Sequence, residues 1–307
     1  MNQMGLGLSA INRFGRGTLL REWLERNCNL FGRSRVFHDR HGAGIITVDP
    51  MLAYPNIDPV FIHLGPLQIR WYGIAYVFGV VLGMKLAYPS LRRLGLDRDS
   101  IWDFPTYLII GIVLGGRLGY VCLYDLSYFT GHLSKVFAIW EGGMSYHGAA
   151  LGTVISTYVF AQRHRVSLWP VLDLLAWGST IGLALGRVAN FINGELFGRI
   201  TNMPWGMIFA DGGPLPRHPS QLYEAFGEGL VLFITLGLLR RHGQLKDGQL
   251  FGCYLMGYGS IRFCVEFFRE PDSQIGTFFG LLTMGQLLCI TMFLSGAIVF
   301  CVRRSLR

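Results

Sequence analysis

The chain has 307 residues, 51% of them apolar and only 15% charged, with a mean hydropathy of +0.38, a balance that excludes an ordinary water-soluble domain of this size. The net charge of +8, from 27 Lys and Arg against 19 Asp and Glu, does not mark a nucleic-acid binder. The basic residues fall in short clusters between apolar stretches, which is the pattern of membrane topology. The six cysteines (Cys28, Cys122, Cys253, Cys264, Cys289, Cys301) lack CxxC or Cys/His spacing, so free thiols and no metal are expected.

Residues 1–50 carry seven Arg and four acidic residues and no apolar core of the signal-peptide kind. Met51 opens a nearly uncharged lead into the first apolar stretch. We therefore expect the native start at Met51, residues 1–50 being a basic extension, non-native or disordered, and residues 51–307 a single membrane domain. Apolar stretches long enough to cross a bilayer fall at about 71–90, 104–124, 144–162, 170–190, 221–239, 248–268 and 279–302. The expected fold is all-α, a polytopic bundle of about seven transmembrane helices with a small extracytoplasmic segment between spans four and five. Gly111, Gly115 and Gly119, and again Gly178, Gly182 and Gly186, repeat at i+4, the spacing that lets membrane helices approach closely.

The loops after spans one, three, five and seven hold Arg92, Arg93, Arg98, Arg163, Arg165, Arg240, Arg241, Lys246, Arg303, Arg304 and Arg307. The opposite loops hold only Lys135, Arg199, Arg217 and Arg269. The positive-inside rule puts the former in the cytoplasm, the N-terminal end of the bundle outside and the C-terminus inside. The segment 191–220 then faces outward, and its Gly and Pro content suits a lid or substrate clamp.

An ionisable group at bilayer depth costs several kcal/mol unless it faces protein or water, so each is a functional candidate. Arg117, His147, Arg187, Glu224, Glu228, Arg262 and Glu266 qualify, while Lys85 and Asp173 sit nearer the cytoplasmic ends and are expected to snorkel without a role. Tyr258, Arg262 and Glu266 stack four apart on one face, where the pair serves structure or function equally well. Arg187 and Asn190 share a face near the outer end of span four, with Glu195 in the exit turn. Two arginines on different spans suit an anionic phosphate near headgroup level. His147 opens span three in a glycine-rich run, either as a hydrogen-bonded structural residue or as a base. In His218 to Glu224, HPSQLYE, Ser220 is expected to cap the fifth span, with Gln221 and Glu224 facing inward.

The run Gly186 to Arg199, GRVANFINGELFGR, resembles the signature of the bacterial prolipoprotein diacylglyceryl transferases. RWYG at Arg70 to Gly73, GGMSYHG at Gly142 to Gly148, HPSQLYE and YGSIRFCVEFFREPD at Tyr258 to Asp272 follow in that family's order, so the resemblance covers about residues 60–302. It implies an inner-membrane enzyme that moves the diacylglyceryl group of phosphatidylglycerol onto the lipobox cysteine thiol of a prolipoprotein signal peptide, releasing glycerol phosphate. No cofactor is implied; the partners are the two substrates and membrane lipids, without nucleic acid. By the same resemblance His147, Arg187, Glu195, Arg262 and Glu266 are catalytic. Arg187, Asn190, Gly198, Tyr258, Arg262 and either Tyr72 or Tyr76 bind substrate, although Gly186, Gly194 and Gly198 also read as packing and turn residues. One departure is Ala149 where a second glycine is expected after Gly148.

Alkyl transfer to a thiol needs a thiolate and charge stabilisation on the departing phosphate. On these requirements we expect Arg187 and Arg262 to bind the phosphate and stabilise the leaving group, oriented by Glu266 and Asn190, and His147 to serve as the base, with Glu195 as alternative or orienter. A transporter or channel with a charged pathway fits the spans as well, but no inverted repeat is visible and a transporter does not need Arg, Asn, Glu and His gathered at the outer boundary. A structural adaptor would not carry the cost of those charges.

Overall fold

In a computed structural model of the chain, the residues described are 35–38, 45–48, 52, 54–55, 57–65, 67–124, 126–270, 277–278 and 282–305. The expectations about a start at Met51 and an extension over residues 1–50 lie outside them, apart from one hairpin. Two compact units are present: residues 55–199 with 218–307, and residues 1–54 with 200–217.

The larger unit is helical: α1 Trp71–Arg93, α2 Arg98–Leu123, a short α3 Leu126–Gly131, α4 Tyr146–Arg163, α5 Leu168–Ile192, α6 Ser220–His242, α7 Gln249–Glu266 and α8 Met284–Ser305. Among the described residues α1, α2, α5, α6 and α8 are long and apolar enough to cross a membrane by length and composition. The 18-residue helices α4 and α7 fall outside that set although they occupy predicted spans three and six. Both α1 and α2 turn large apolar side chains outward, among them Val77, Phe78, Ile109, Ile110 and Leu114. Such surface is costly in water and neutral in lipid, so the chain is a membrane protein.

Lipid tails are as apolar as leucine, so these helices gain little by hiding leucine from solvent and must instead pack closely. The predicted glycine repeats do this. A Cβ at Gly115 would stand 2.8 Å from Gly152 Cα, and one at Gly119 would stand 2.7 Å from Gly148 Cα, which brings α2 and α4 to backbone contact. Gly79 and Gly83 of α1 meet Gly182 and Gly178 of α5 in the same way. Gly252 and Gly259 of α7 lie against α8, a pairing the repeats did not announce. Gly186 differs, since a Cβ there meets nothing within 4 Å and no close helix contact requires it. Ala149 is accommodated: its methyl lies on the side of Gly116, where a Cβ would be 3.6 Å away.

Asp173 does not snorkel. Its Oδ2 accepts from the amide of Gly248 and its Oδ1 from the amide of Phe251, both at 2.7 Å, so a carboxylate on α5 caps the N-terminus of α7. The N-cap residue Gly248 has no side chain to do so, and a carboxylate also suits the positive end of the helix dipole. The smaller unit holds the hairpin β1 Arg35–His38 with β2 Ile45–Val48, and a turn in which Met207 and Arg217 exchange backbone hydrogen bonds of 2.9 and 2.8 Å.

Substituting Gly152→Val forces branched carbons into the backbone of α2, where Gly111 C would be 2.9 Å from the new Cβ. Overpacking of this kind costs about 1–3 kcal/mol, so the variant should melt several degrees lower in detergent by intrinsic tryptophan fluorescence. Gly186→Ala should leave the melting temperature unchanged.

Candidate functional site

The fifth predicted span is not a uniform helix. Between the turn Ser220–Glu224 and the α-helical Leu232–His242, residues Ala225–Val231 form a π-helix. Such insertions widen the turn and are frequent at functional sites. Here the π-helix begins after Glu224 and carries Glu228 at its centre, and both carboxylates are fully buried.

Three arginines converge on these carboxylates. Arg187 of α5 places Nε 2.7 Å from Glu224 Oε2, Arg262 of α7 donates from Nη1 to Glu224 Oε1 at 2.6 Å, and Arg269 donates to the same oxygen at 2.8 Å. Arg262 Nη2 also lies 2.9 Å from Glu266 Oε2, the i,i+4 pair expected on α7. Glu228 stands farther off, 3.9 Å from Arg187 Nη2 and 3.8 Å from Arg262 Nη1, and neither of its oxygens has a hydrogen-bond partner among the described residues. Three guanidiniums against three carboxylates make the group formally neutral, which lets it lie at bilayer depth. The guanidiniums keep a partial opening, their side chains being 16–20% exposed. Arg187 commits Nε to Glu224, and its Nη2 stands 3.9 Å from the buried Glu228 Oε2.

A second cluster lies at the end of α5. The Asn190 amide donates to the Tyr72 hydroxyl of α1 and, at 3.2 Å, to Glu195 Oε1, which also accepts from Asn193 at 3.2 Å. Of the two tyrosines left open by the sequence, Tyr72 makes this contact, whereas Tyr76 stacks on Tyr72 and is 63% exposed. The expected orientation of an arginine by Asn190 is not what the structure has: Asn190 serves Tyr72 and Glu195, and Glu224 orients Arg187.

The exit turn is held from outside. Leu196 adopts φ +56°, a left-handed conformation uncommon for a side-chain-bearing residue, so neighbouring contacts must over-determine it. Ser220 Oγ donates to Leu196 O at 3.0 Å and Gln221 Nε2 donates to Glu195 O at 2.6 Å. Ser220 is therefore not the expected helix cap; the N-cap position is Pro219, and the serine hydroxyl fastens the signature turn. At Gly198 a Cβ would stand 2.9 Å from His218 Cβ and collide with Phe268 O, while its N–H donates to His218 O at 2.8 Å. Gly198 is a close-approach residue joining the signature to the segments before α6 and after α7.

His147 lies exposed in the first turn of α4, whose N-cap Ser145 accepts from Gly148 N at 3.2 Å. Its ring sits edge-on to Tyr146, and Tyr146 is within hydrogen-bonding reach of the buried Tyr258 on α7. Tyr258 in turn borders Arg187 and Arg262 electrostatically. Tyr146 thus touches both His147 and Tyr258. Arg117, a functional candidate by depth alone, is a staple: it donates to Val136 O at 2.8 Å, Lys135 O at 2.6 Å, Gly142 O at 2.5 Å and Gly143 O at 3.1 Å, fixing the loop ahead of His147.

Sequence reasoning named Glu224 and Glu228 only as buried charges and Arg269 only as a loop cation. Their signals were Glu224/Glu228 four apart in an apolar span and Arg269 three residues after Glu266, but neither spacing tells that the carboxylates meet α5 and α7.

A membrane helix bundle with a neutral Arg/Glu network at one end of α5, α6 and α7, beside an Asn/Glu/Tyr cluster, defines a membrane protein built around a buried ionic site. The model of the family described as prolipoprotein diacylglyceryl transferase matches residues 59–302, and the chain belongs to that family. Similar proteins named phosphatidylglycerol–prolipoprotein diacylglyceryl transferase include one from Nitratidesulfovibrio vulgaris, 48% identical over 80% of this chain and 94% of the relative. Another from Geobacter sulfurreducens is 47% identical over 80% and 95%, and one from Rhodospirillum rubrum 48% over 82% and 94%.

Substituting Glu224→Gln removes the charge shared by three arginines. Breaking a buried pair typically costs about 3–5 kcal/mol, so the variant should lose most folded protein in a detergent melt. Arg187→Gln removes one of several partners and should destabilise less.

Proposed function

We propose that the chain transfers the diacylglyceryl group of phosphatidylglycerol to the thiol of a lipobox cysteine in a prolipoprotein signal peptide. A C–S bond forms at the glyceryl carbon, its C–O bond to phosphate breaks, the thiol proton passes to a base and glycerol phosphate leaves. The observation that carries this reading is the meeting of Arg187 and Arg262, from different helices, over one buried carboxylate with guanidinium edges partly open. Held in that posture they bind the lipid phosphate and stabilise the charge on the leaving group, with Glu224 and Glu266 fixing their orientation. The names of the relatives support the substrates.

His147 is the base in this reading, the free nitrogen of a neutral imidazole being able to accept the thiol proton. Its place beside Tyr146, which reaches Tyr258 near the arginines, supports the role. Glu195, tied to Asn190 and Asn193, shapes the pocket with Tyr72 rather than taking the proton. The bundle crosses the bacterial inner membrane seven times, α4 and α7 included, with residues 51–307 as one transferase domain, segment 191–220 outside and the C-terminus in the cytoplasm. Both substrates then enter laterally from the bilayer.

Purified protein with labelled phosphatidylglycerol and a lipobox peptide should label the Cys peptide and not its Ser counterpart; no label on Cys would sink the assignment. His147→Ala should lower turnover by about 10²–10⁴-fold and Arg187→Gln by about 10²–10³-fold, while Glu195→Gln loses less. Near-full activity of His147→Ala would exclude histidine as the base.

A further inference from the structure

About 21 Å along α5 from Arg187, at the 1.5 Å rise of a helix, lies a separate cavity of about 180 Å³. Ser90 at the end of α1, Leu94, Asp173, Arg240 of α6 and Lys246 line it. At about 30 Å³ per water it holds roughly six waters, the space of one phosphate with its ester substituents.

Arg240 is held with a donor to spare. Its Nη2 donates to Ser90 Oγ, its guanidinium lies over the Trp177 ring at 4.8 Å, and its Nη1 is buried without a hydrogen-bond partner among the described residues. A buried guanidinium N–H left unmade costs about 1–3 kcal/mol or more, so a site that keeps one has something else to satisfy it. Asp173 also lines the cavity, but both its oxygens are engaged by the amides of Gly248 and Phe251. The lining also holds Asp247, so Arg240 and Lys246 balance two carboxylates and the excess of positive charge comes from the rim. The final turns of α1, α6 and α8 bring Arg92, Arg93, Arg241, Arg303 and Arg304 to this same end, a strongly positive rim at the depth where helices reach the headgroups.

We propose that this cavity binds the phosphate of an acidic phospholipid headgroup, as a lipid site distinct from the one at Arg187 and Arg262. The planar guanidinium offers Nη1 and the Ser90 hydroxyl completes a small polar seat, while the apolar lining from Leu94 admits the lipid from the bilayer side.

The test uses the full chain in phosphatidylcholine nanodiscs, titrated with phosphatidylglycerol carrying a fluorophore on one acyl chain. In an Arg187→Gln background, which weakens the first site, Arg240→Gln should lower the remaining lipid affinity about tenfold or more. Ser90→Leu, which fills the cavity while keeping every charge, should do the same and guards against a folding defect in the first variant. Unchanged affinity in both variants, the result for a cavity holding only water, would overturn the proposal. Displacement of the lipid by equimolar inorganic phosphate or glycerol phosphate would make the ligand a free anion and refute the lipid assignment. Because the two sites are read by different variants, loss at Arg240 with no loss at Arg187 would sustain this site and count against the phosphate role of Arg187.

Discussion

The buried Arg/Glu network depends on one carboxylate. Glu224 is fully buried and receives Arg187, Arg262 and Arg269, side chains from α5, α7 and the segment after α7. In an apolar medium none of these charges is tolerable alone, and the attraction of any one pair scarcely offsets the desolvation of both members. Sharing one anion among three cations, with Glu228 and Glu266 restoring neutrality, makes the group bearable. It also fixes which helices converge.

The irregular part of α6 lies at the same level. A π-helix at Ala225–Val231 is poorer in hydrogen-bond geometry than an α-helix, and the sequence has no proline there to force it. Glu228 stands at its centre and Glu224 immediately before it. Gly229 passes so close to Ala184 that a Cβ would stand 2.8 Å from Ala184 Cα, so α5 and α6 approach where the charges need them. Close packing and ion pairing thus act at one level of the bundle. The strained Leu196 lies just beyond, its turn fastened by Ser220 and Gln221, residues of the same α6.

For the proposed chemistry, electroneutrality matters as much as positive charge. An arginine cluster without glutamates would hold phosphate tightly and release glycerol phosphate slowly. With each guanidinium partly committed to a carboxylate, incoming phosphate gains only what those carboxylates leave uncommitted, which favours a binding energy that grows as charge develops on the leaving group. Glu228 is close to two guanidiniums, but among the described residues neither of its oxygens receives a hydrogen bond.

The sequence by itself determined a great deal of this protein. Apolar stretches fell on the long helices of the described residues, five of which are long and apolar enough to cross a membrane, and the two i+4 glycine repeats marked α2 and α5 as close-packing helices, because only glycine permits backbone contact. The run GRVANFINGELFGR identified Arg187, Asn190 and Glu195, and the i,i+4 spacing of Arg262 and Glu266 foretold their pair. Only the tertiary structure decided partners that lie on different helices. It made Glu224 the common anion, gave Asn190 to Tyr72, turned Ser220 from a cap into a fastener of Leu196, made Asp173 the cap of α7 and Arg117 the staple of a loop. Periodicity reports which face of a helix a residue occupies, but a charged side chain takes its role from what stands opposite, and that is set by how the helices pack.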